Sequence, residues 1–123
     1  MASKSILIIE DNPMNLKLIR DVLQIEGYET LEAETGETGV ELARERHPAV
    51  ILMDVNLPQM DGREAMKILK ADASTRQIPI IAVTSLAMKG DRERLLAAGF
   101  DGYISKPIDI KELPRLVESY VAR

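Results

Sequence analysis

Ala49-Val50-Ile51-Leu52-Met53-Asp54-Val55-Asn56-Leu57-Pro58 is the stretch whose reading decides the fold. Five apolar residues run without a polar break and end on one aspartate. An apolar run of that length, bounded by turn signals, fits a strand buried on both faces. His47-Pro48 closes off what precedes it, and Pro58 with Asp61-Gly62 marks a turn after it. Asp54 is therefore expected at the carboxyl end of a central strand. Open α/β sheets gather ligands and chemistry at that edge.

The rest of the chain suits such a fold. Of 123 residues, 46% are hydrophobic and 29% charged, the balance of a single domain, residues 1–123, with a real core. No apolar run approaches the roughly 18 residues of a transmembrane helix, so membrane insertion is not expected. Met1-Ala2-Ser3-Lys4-Ser5 lacks the basic and apolar regions of a signal peptide, and a cytoplasmic location is expected. The absence of cysteine excludes disulfides and thiolate metal sites. A net charge of −4 argues against direct nucleic-acid binding.

Ile6-Leu7-Ile8-Ile9 reads as a first strand, ending in Glu10-Asp11. Asn12-Pro13 supplies an N-cap and a first helical position. Helix spacing follows at Met14, Leu18, Val22 and Ile25, with Ile19 and Leu23 beside them, and Gly27 stops the helix. Residues 28–34 are poor in apolar content, as suits an edge strand. Thr35-Gly36 opens a second helix with Val40, Leu42 and Ala43 inward. Asp61 caps a third, with Ala65, Met66, Ile68 and Leu69 inward. Pro79 precedes a fourth strand, Ile80-Ile81-Ala82-Val83, which ends in Thr84-Ser85. Asp91 is expected to cap a fourth helix that Gly99 ends. A fifth strand, Gly102-Tyr103-Ile104-Ser105, ends in Lys106-Pro107. Asp109 with Glu112 forms a capping box for a fifth helix. Pro114 lies about five residues into that helix, so either the helix starts later or its first turn is distorted. Strands alternating with helices imply right-handed βαβ units and a parallel sheet.

In a parallel sheet, the carboxyl ends of the strands share one edge. Glu10 and Asp11, Asp54, Thr84 and Lys106 stand at four of these ends. Singly, each has a bland reading: a turn former, a helix cap, a solvated lysine. Together they do not. Three carboxylates side by side are stable as charges only with a cation, and oxygen ligands without cysteine or a nearby histidine select Mg²⁺. A lysine and a threonine hydroxyl suit a phosphoryl group, and Asp54 remains as nucleophile. Nucleotide cradles are missing: there is no Gly-x-Gly-x-x-Gly and no phosphate-binding loop.

These residues carry a family likeness. From near Ser5 to the end the chain resembles a receiver domain of two-component response regulators. The matching pieces are Glu10-Asp11-Asn12, Leu52 to Pro58, Met60-Asp61-Gly62, Val83-Thr84-Ser85, Ala98-Gly99-Phe100-Asp101 and Tyr103-Ile104-Ser105-Lys106-Pro107. Around Leu86-Ala87-Met88-Lys89-Gly90-Asp91 it is most similar to stand-alone cell-division regulators of the DivK type. The resemblance implies a doubly wound, flavodoxin-like (βα)5 fold with strand order 2-1-3-4-5. It implies that Asp54 accepts a phosphoryl group from a histidine kinase phosphohistidine. Asp11 and Asp54 would bind Mg²⁺ directly, Glu10 through water, and Asn56 through its backbone carbonyl. Lys106 and Thr84 would contact the phosphoryl group, Lys106-Pro107 would be cis, and Thr84 with Tyr103 would form the switch.

The expected protein is thus a phosphorylation-dependent signalling switch, not an enzyme with external substrates, and without an attached output domain. Output is expected through protein contact on the helix 4–strand 5–helix 5 face, as a monomer or weak dimer. Asn15, Leu18, Pro107 and Ile108 are expected to form the surface that meets a kinase or a histidine phosphotransfer protein. The chain would control a downstream protein target or relay the phosphoryl group onward. An aspartyl-nucleophile phosphatase is a weaker rival, because Asn56 stands where such enzymes place a second acid. A receiver-like module that is never phosphorylated is another, opposed by the intact Glu10, Asp11, Asp54, Thr84 and Lys106. Three departures from the family pattern stand out: Ser85 where alanine is commonest, apolar Leu86 two positions after Thr84, and Pro114. His47 is expected to complement the end of helix 2. Met14, Met60 and Met88 are expected to fill the core near the active edge, with a pliable partner surface as the alternative, and Arg92-Glu93-Arg94 to form a solvated face.

Overall fold

The computed structural model describes residues 4–57, 60–85 and 90–122. Pro58, Leu86 and Met88, with the motif around them, lie outside the described residues. The elements alternate as the strand and helix patterns require: β1 (Ser5–Ile9), α1 (Pro13–Ile25), β2 (Glu29–Ala33), α2 (Gly36–Arg46), β3 (Val50–Asp54), α3 (Gly62–Ala71), β4 (Ile80–Thr84), α4 (Asp91–Ala98), β5 (Gly102–Ser105) and α5 (Glu112–Val121). The five strands form one parallel sheet in the order β2-β1-β3-β4-β5. β3 lies at its centre and β2 at its edge, as expected from their apolar content.

The two faces of the sheet bury alternate residues of each strand. Leu7, Ile9, Ile51, Met53, Ile80 and Ala82 pack under α2, α3 and α4. Ile6, Ile8, Val50, Leu52, Ile81 and Val83 pack under α1 and α5. All five residues of β3 are buried, which is why its sequence shows no polar alternation.

Local signals set most helix ends. The Asn12 side chain accepts from the N–H groups of Met14 and Asn15 at 2.9 and 3.1 Å, with Pro13 at the first helical position. At the other end Gly27, at φ 93°, lets its own N–H reach the Gln24 carbonyl and that of Tyr28 reach the Leu23 carbonyl. That pair of bonds is a Schellman stop. His47 ends α2 in the left-handed region, φ 46°, so its backbone rather than its charge terminates the helix.

Four expectations are corrected. The buried stripe of α1 is Leu16, Ile19 and Leu23. Met14 is 82% exposed and Ile25 83%, so neither fills the core, and Leu18 is partly exposed. Both stripes have helical spacing, and only the direction of the sheet chooses between them. Ile68 on α3 likewise turns outward, while Ala65, Met66 and Leu69 are buried. Asp91 does not cap α4 but is its first residue, after a left-handed Gly90. Pro114 is the third residue of α5, inside the first turn, where its missing N–H has no intrahelical partner to lose. The helix starts later than the Asp109 signal suggested. The Asp109 carboxylate instead ties the preceding turn, accepting from Lys111 and Glu112 N–H at 2.8 and 3.2 Å.

Candidate phosphoacceptor site

Strand register brings the polar strand ends together. Ile9 pairs with Met53, Asp54 with Val83, and Thr84 with Ser105. Ladder bonds continue past the strands: Val55 N–H to the Val83 carbonyl at 3.1 Å, and Lys106 N–H to the Thr84 carbonyl at 2.8 Å. Glu10, Asp54 and Thr84 are buried, whereas Asp11 is exposed. The buried acids occur because an unbroken apolar strand delivers its terminal side chain before the chain leaves the core.

Side-chain alternation sorts these groups. Glu10 and Asp54 continue the register of Ile8 and Leu52, the face toward α1 and α5. Thr84 and Tyr103 share the register of Ile80 and Ala82, and the Tyr103 ring packs on the cluster under α4. The two residues expected to switch therefore share one face of the sheet, and the acids belong to the other.

Lys106 joins the acids. Its Nζ lies 2.9 Å from Oε1 of Glu10 and 3.0 Å from Oδ2 of Asp54. The second oxygen of Asp54 accepts from the Asn56 N–H at 2.9 Å, and Oε2 of Glu10 from the Asn12 N–H at 3.2 Å. Oε1 of Glu10 is buried and, among the described residues, has no hydrogen-bond partner, although the ammonium lies near it. Burial, reinforced by the Asp54 carboxylate, pushes the Glu10 carboxyl up to about 7. For Asp54, burial acts in the same upward direction. Hydrogen bonds from Glu10, the Asn56 N–H and Lys106 outweigh it and hold Asp54 below the ordinary carboxylate range. Burial acts to lower Lys106, but its two carboxylate partners outweigh that and raise it. Of the pair, Glu10 thus binds a proton more tightly, and Asp54 is the more readily ionised, nucleophilic partner.

Glu10, Asp11 and Asp54 each offer an oxygen within 4.8 Å of the others. That spacing, the under-satisfied Glu10 oxygen and the all-oxygen donor set fit a hard divalent cation such as Mg²⁺. Asn56, whose carbonyl was expected to contribute, lies two residues after Asp54 and is exposed.

One glycine was quoted for its motif but not for its role. A Cβ on Gly62 would meet the Asp54 carbonyl oxygen at 2.4 Å and the Val55 Cα at 2.9 Å. Gly62 N–H also donates to the Val55 carbonyl at 3.0 Å. The start of α3 is therefore pressed against the backbone that carries Asp54. Another tie is invisible in the sequence because its partners are far apart. Lys70 meets the Asp101 carboxylate at 2.7 Å and the Ile78 carbonyl at 3.1 Å, and Tyr120 donates to the Asp101 carbonyl at 2.6 Å.

The expected partner surface is only partly a surface. Asn15, Leu18 and Pro107 are accessible, but Ile108 is 8% exposed and packs in the core under α1 and α5. The Lys106-Pro107 bond before it is cis, as expected.

A family model described as the response regulator receiver domain matches residues 6–118. The chain belongs to the response regulator receiver family. It is 48% identical over 119 residues to the polar-differentiation response regulator DivK of Brucella ovis, covering 97% of each chain. Among solved structures it is similar to the receiver domain of a sensor histidine kinase from Pseudomonas aeruginosa, described with a magnesium ion coordinated in its active-site cleft. That match has a TM-score of 0.91 and 37% identity, and covers 99% of this chain and 100% of the other. A CheY-like receiver protein of Methanospirillum hungatei gives a TM-score of 0.86 at 30% identity, with 98% and 95% covered. This receiver domain is a signalling protein of the two-component class. Among the described residues, no helix is long and apolar enough to cross a membrane.

Proposed function

We propose that Asp54 accepts a phosphoryl group from the phosphohistidine of a sensor kinase, and that the modified domain controls a protein partner. The observation that carries this reading is the Lys106 ammonium, held between Glu10 and Asp54 beside a third carboxylate. Transfer breaks the phosphorus–nitrogen bond of the donor imidazole and forms a phosphorus–oxygen bond to Asp54. Phosphoryl transfer asks the protein mainly for positioning and charge neutralisation.

Asn56 N–H fixes one Asp54 oxygen and orients the other. Lys106 neutralises charge on the incoming phosphoryl oxygens, and Thr84 supplies a hydroxyl to them. Glu10, Asp11, Asp54 and the Asn56 carbonyl would hold Mg²⁺, which when bound shields the phosphoryl charge from the carboxylates. Once phosphorylated, Asp54 no longer needs its former ion pair. The register shared by Thr84 and Tyr103 then offers a path to the face formed by α4, β5 and α5.

In this reading the chain works as a receiver domain in the cytoplasm. A histidine kinase or phosphotransfer protein docks over Asn15, Leu18 and Pro107. The likeness to a polar-differentiation response regulator supports a role in the cell cycle, through allosteric control of a partner or through onward relay of the phosphoryl group.

Intact-mass measurement after incubation with Mg²⁺ and a small phosphodonor tests the reading. A single added phosphoryl group is expected, lost in Asp54→Asn and without Mg²⁺. An unmodified mass under all conditions would make this a binding module, and sustained release of phosphate from many esters would make it a phosphatase.

A further inference from the structure

Among the described residues, β2 has no strand on its outer side. Glu29 N–H donates to the Lys4 carbonyl at 3.0 Å, and the Ala33 carbonyl accepts from Glu10 N–H at 2.9 Å. Backbone direction alternates along a strand, so Thr30 and Glu32 turn their N–H and C=O groups away from β1, toward the open edge. Beside that edge runs a groove of about 420 Å³ between β2 and α2. Ala33 and Leu42 give it an apolar floor, and Glu32, Glu34, Glu41 and Glu45 line it.

The charge along this edge is not balanced from within. Residues 26–45 hold seven glutamates and one base, Arg44, while the rest of the chain has a small positive excess. Arg44 is engaged elsewhere, 2.8 Å from Asp72. Glu29 and Glu32 have partners in Arg46 and Arg20, at 3.6 and 3.3 Å. Among the described residues, Glu34, Glu37, Glu41 and Glu45 have no ion pair. Glu37, Glu41 and Glu45 repeat at every fourth position of α2, a spacing at which like charges oppose the helix. Glu45 also stands in the last turn, where the helix end is itself negative. Glu37 in the first turn and Arg44 and Arg46 in the last suit the helix dipole, but the Glu41–Glu45 end of the row is repelled both by its neighbours and by the helix terminus.

We propose that the open edge of β2 and its groove receive an extended, lysine- and arginine-rich segment of a partner protein. The segment adds as a further strand beside Thr30 and Glu32 and places alternate cationic side chains against the glutamates. A second copy of this chain does not fit, since edge-to-edge pairing would set glutamate against glutamate. The same charges that keep copies apart select a basic partner.

The test uses the full chain, labelled for amide NMR, and a short synthetic peptide alternating lysine and valine. Saturable shifts concentrated in residues 29–45 are expected, with slowed amide exchange at Thr30 and Glu32. The surface variant Glu34→Gln/Glu41→Gln/Glu45→Gln should keep its fold and bind about tenfold more weakly. A peptide of the same composition with alternate backbone nitrogens methylated should not bind. The proposal is overturned by equal binding to the triple variant or of the methylated peptide. Absence of saturable binding, or shifts centred on Asp11 and Asp54, would also overturn it. None of these outcomes depends on phosphorylation of Asp54.

Discussion

A carboxylate at the tip of a buried strand loses water that would stabilise its charge, and two such carboxylates make the problem worse. Here the pair divides the roles. Glu10 is pushed up to about 7, chiefly by burial, and Asp54 is held low by its hydrogen bonds. The stability consequences have opposite signs. Asp54 stabilises the fold above its unfolded pKa, and that contribution is lost as pH falls through its folded value. Glu10 binds a proton more tightly when folded, so its contribution is full below 4.5 and is lost as pH rises through about 7. Glu10→Gln removes that loss. Its stability relative to the parent protein should rise between about pH 5 and pH 8, by an amount on the order of 1–3 kcal/mol. A difference that stays flat with pH in thermal melts would sink the assignment. Gly62 acts through space rather than charge. Gly62→Ala would press a methyl group onto the Asp54 carbonyl. It is expected to cost about 1–3 kcal/mol and also to slow phosphorylation at temperatures where the variant is fully folded. Denaturant melts and phosphorylation rates measured side by side check both parts.

At the scale of elements, α1 shows how two stripes of one helix part company. Leu23 is fully buried and Ile25 is 83% exposed, although both are apolar and two residues apart. Leu23→Ala should cost about 2–5 kcal/mol by leaving a cavity, whereas Ile25→Ala should stay within about 0.5 kcal/mol. Urea melts of the two variants measure the difference, and similar losses would mean that α1 does not turn its Leu16, Ile19 and Leu23 stripe to the sheet. Helix ends were easier to read than helix faces. Asn12-Pro13 and Gly27 act through bonds within a few residues, so their chemistry is complete in the local sequence. Asp91 was misplaced by one position because Gly90, not a side-chain cap, makes the turn into α4.

Across the whole molecule, the sequence by itself determined the alternation of strands and helices, the depth of β3, and the convergence of Glu10, Asp11, Asp54, Thr84 and Lys106 on one edge. These follow from hydrophobic runs, turn residues and the geometry of parallel strands, all of which are short-range or topological. Only the tertiary structure decided the rest. Packing chose which stripe of α1 meets the sheet and turned Ile108 inward. Strand register placed the Lys106 ammonium between two acids at 2.9 and 3.0 Å, and burial at the tip of the strand raised Glu10 above its partner. The Asp101 tie to Lys70 and Tyr120, and the press of Gly62 on Asp54, join positions whose sequence neighbours say nothing of one another. Periodicity reports that a side chain has a preferred face. Which neighbour occupies that face is a property of three-dimensional packing, where contacts between distant residues are made and charges lose their water.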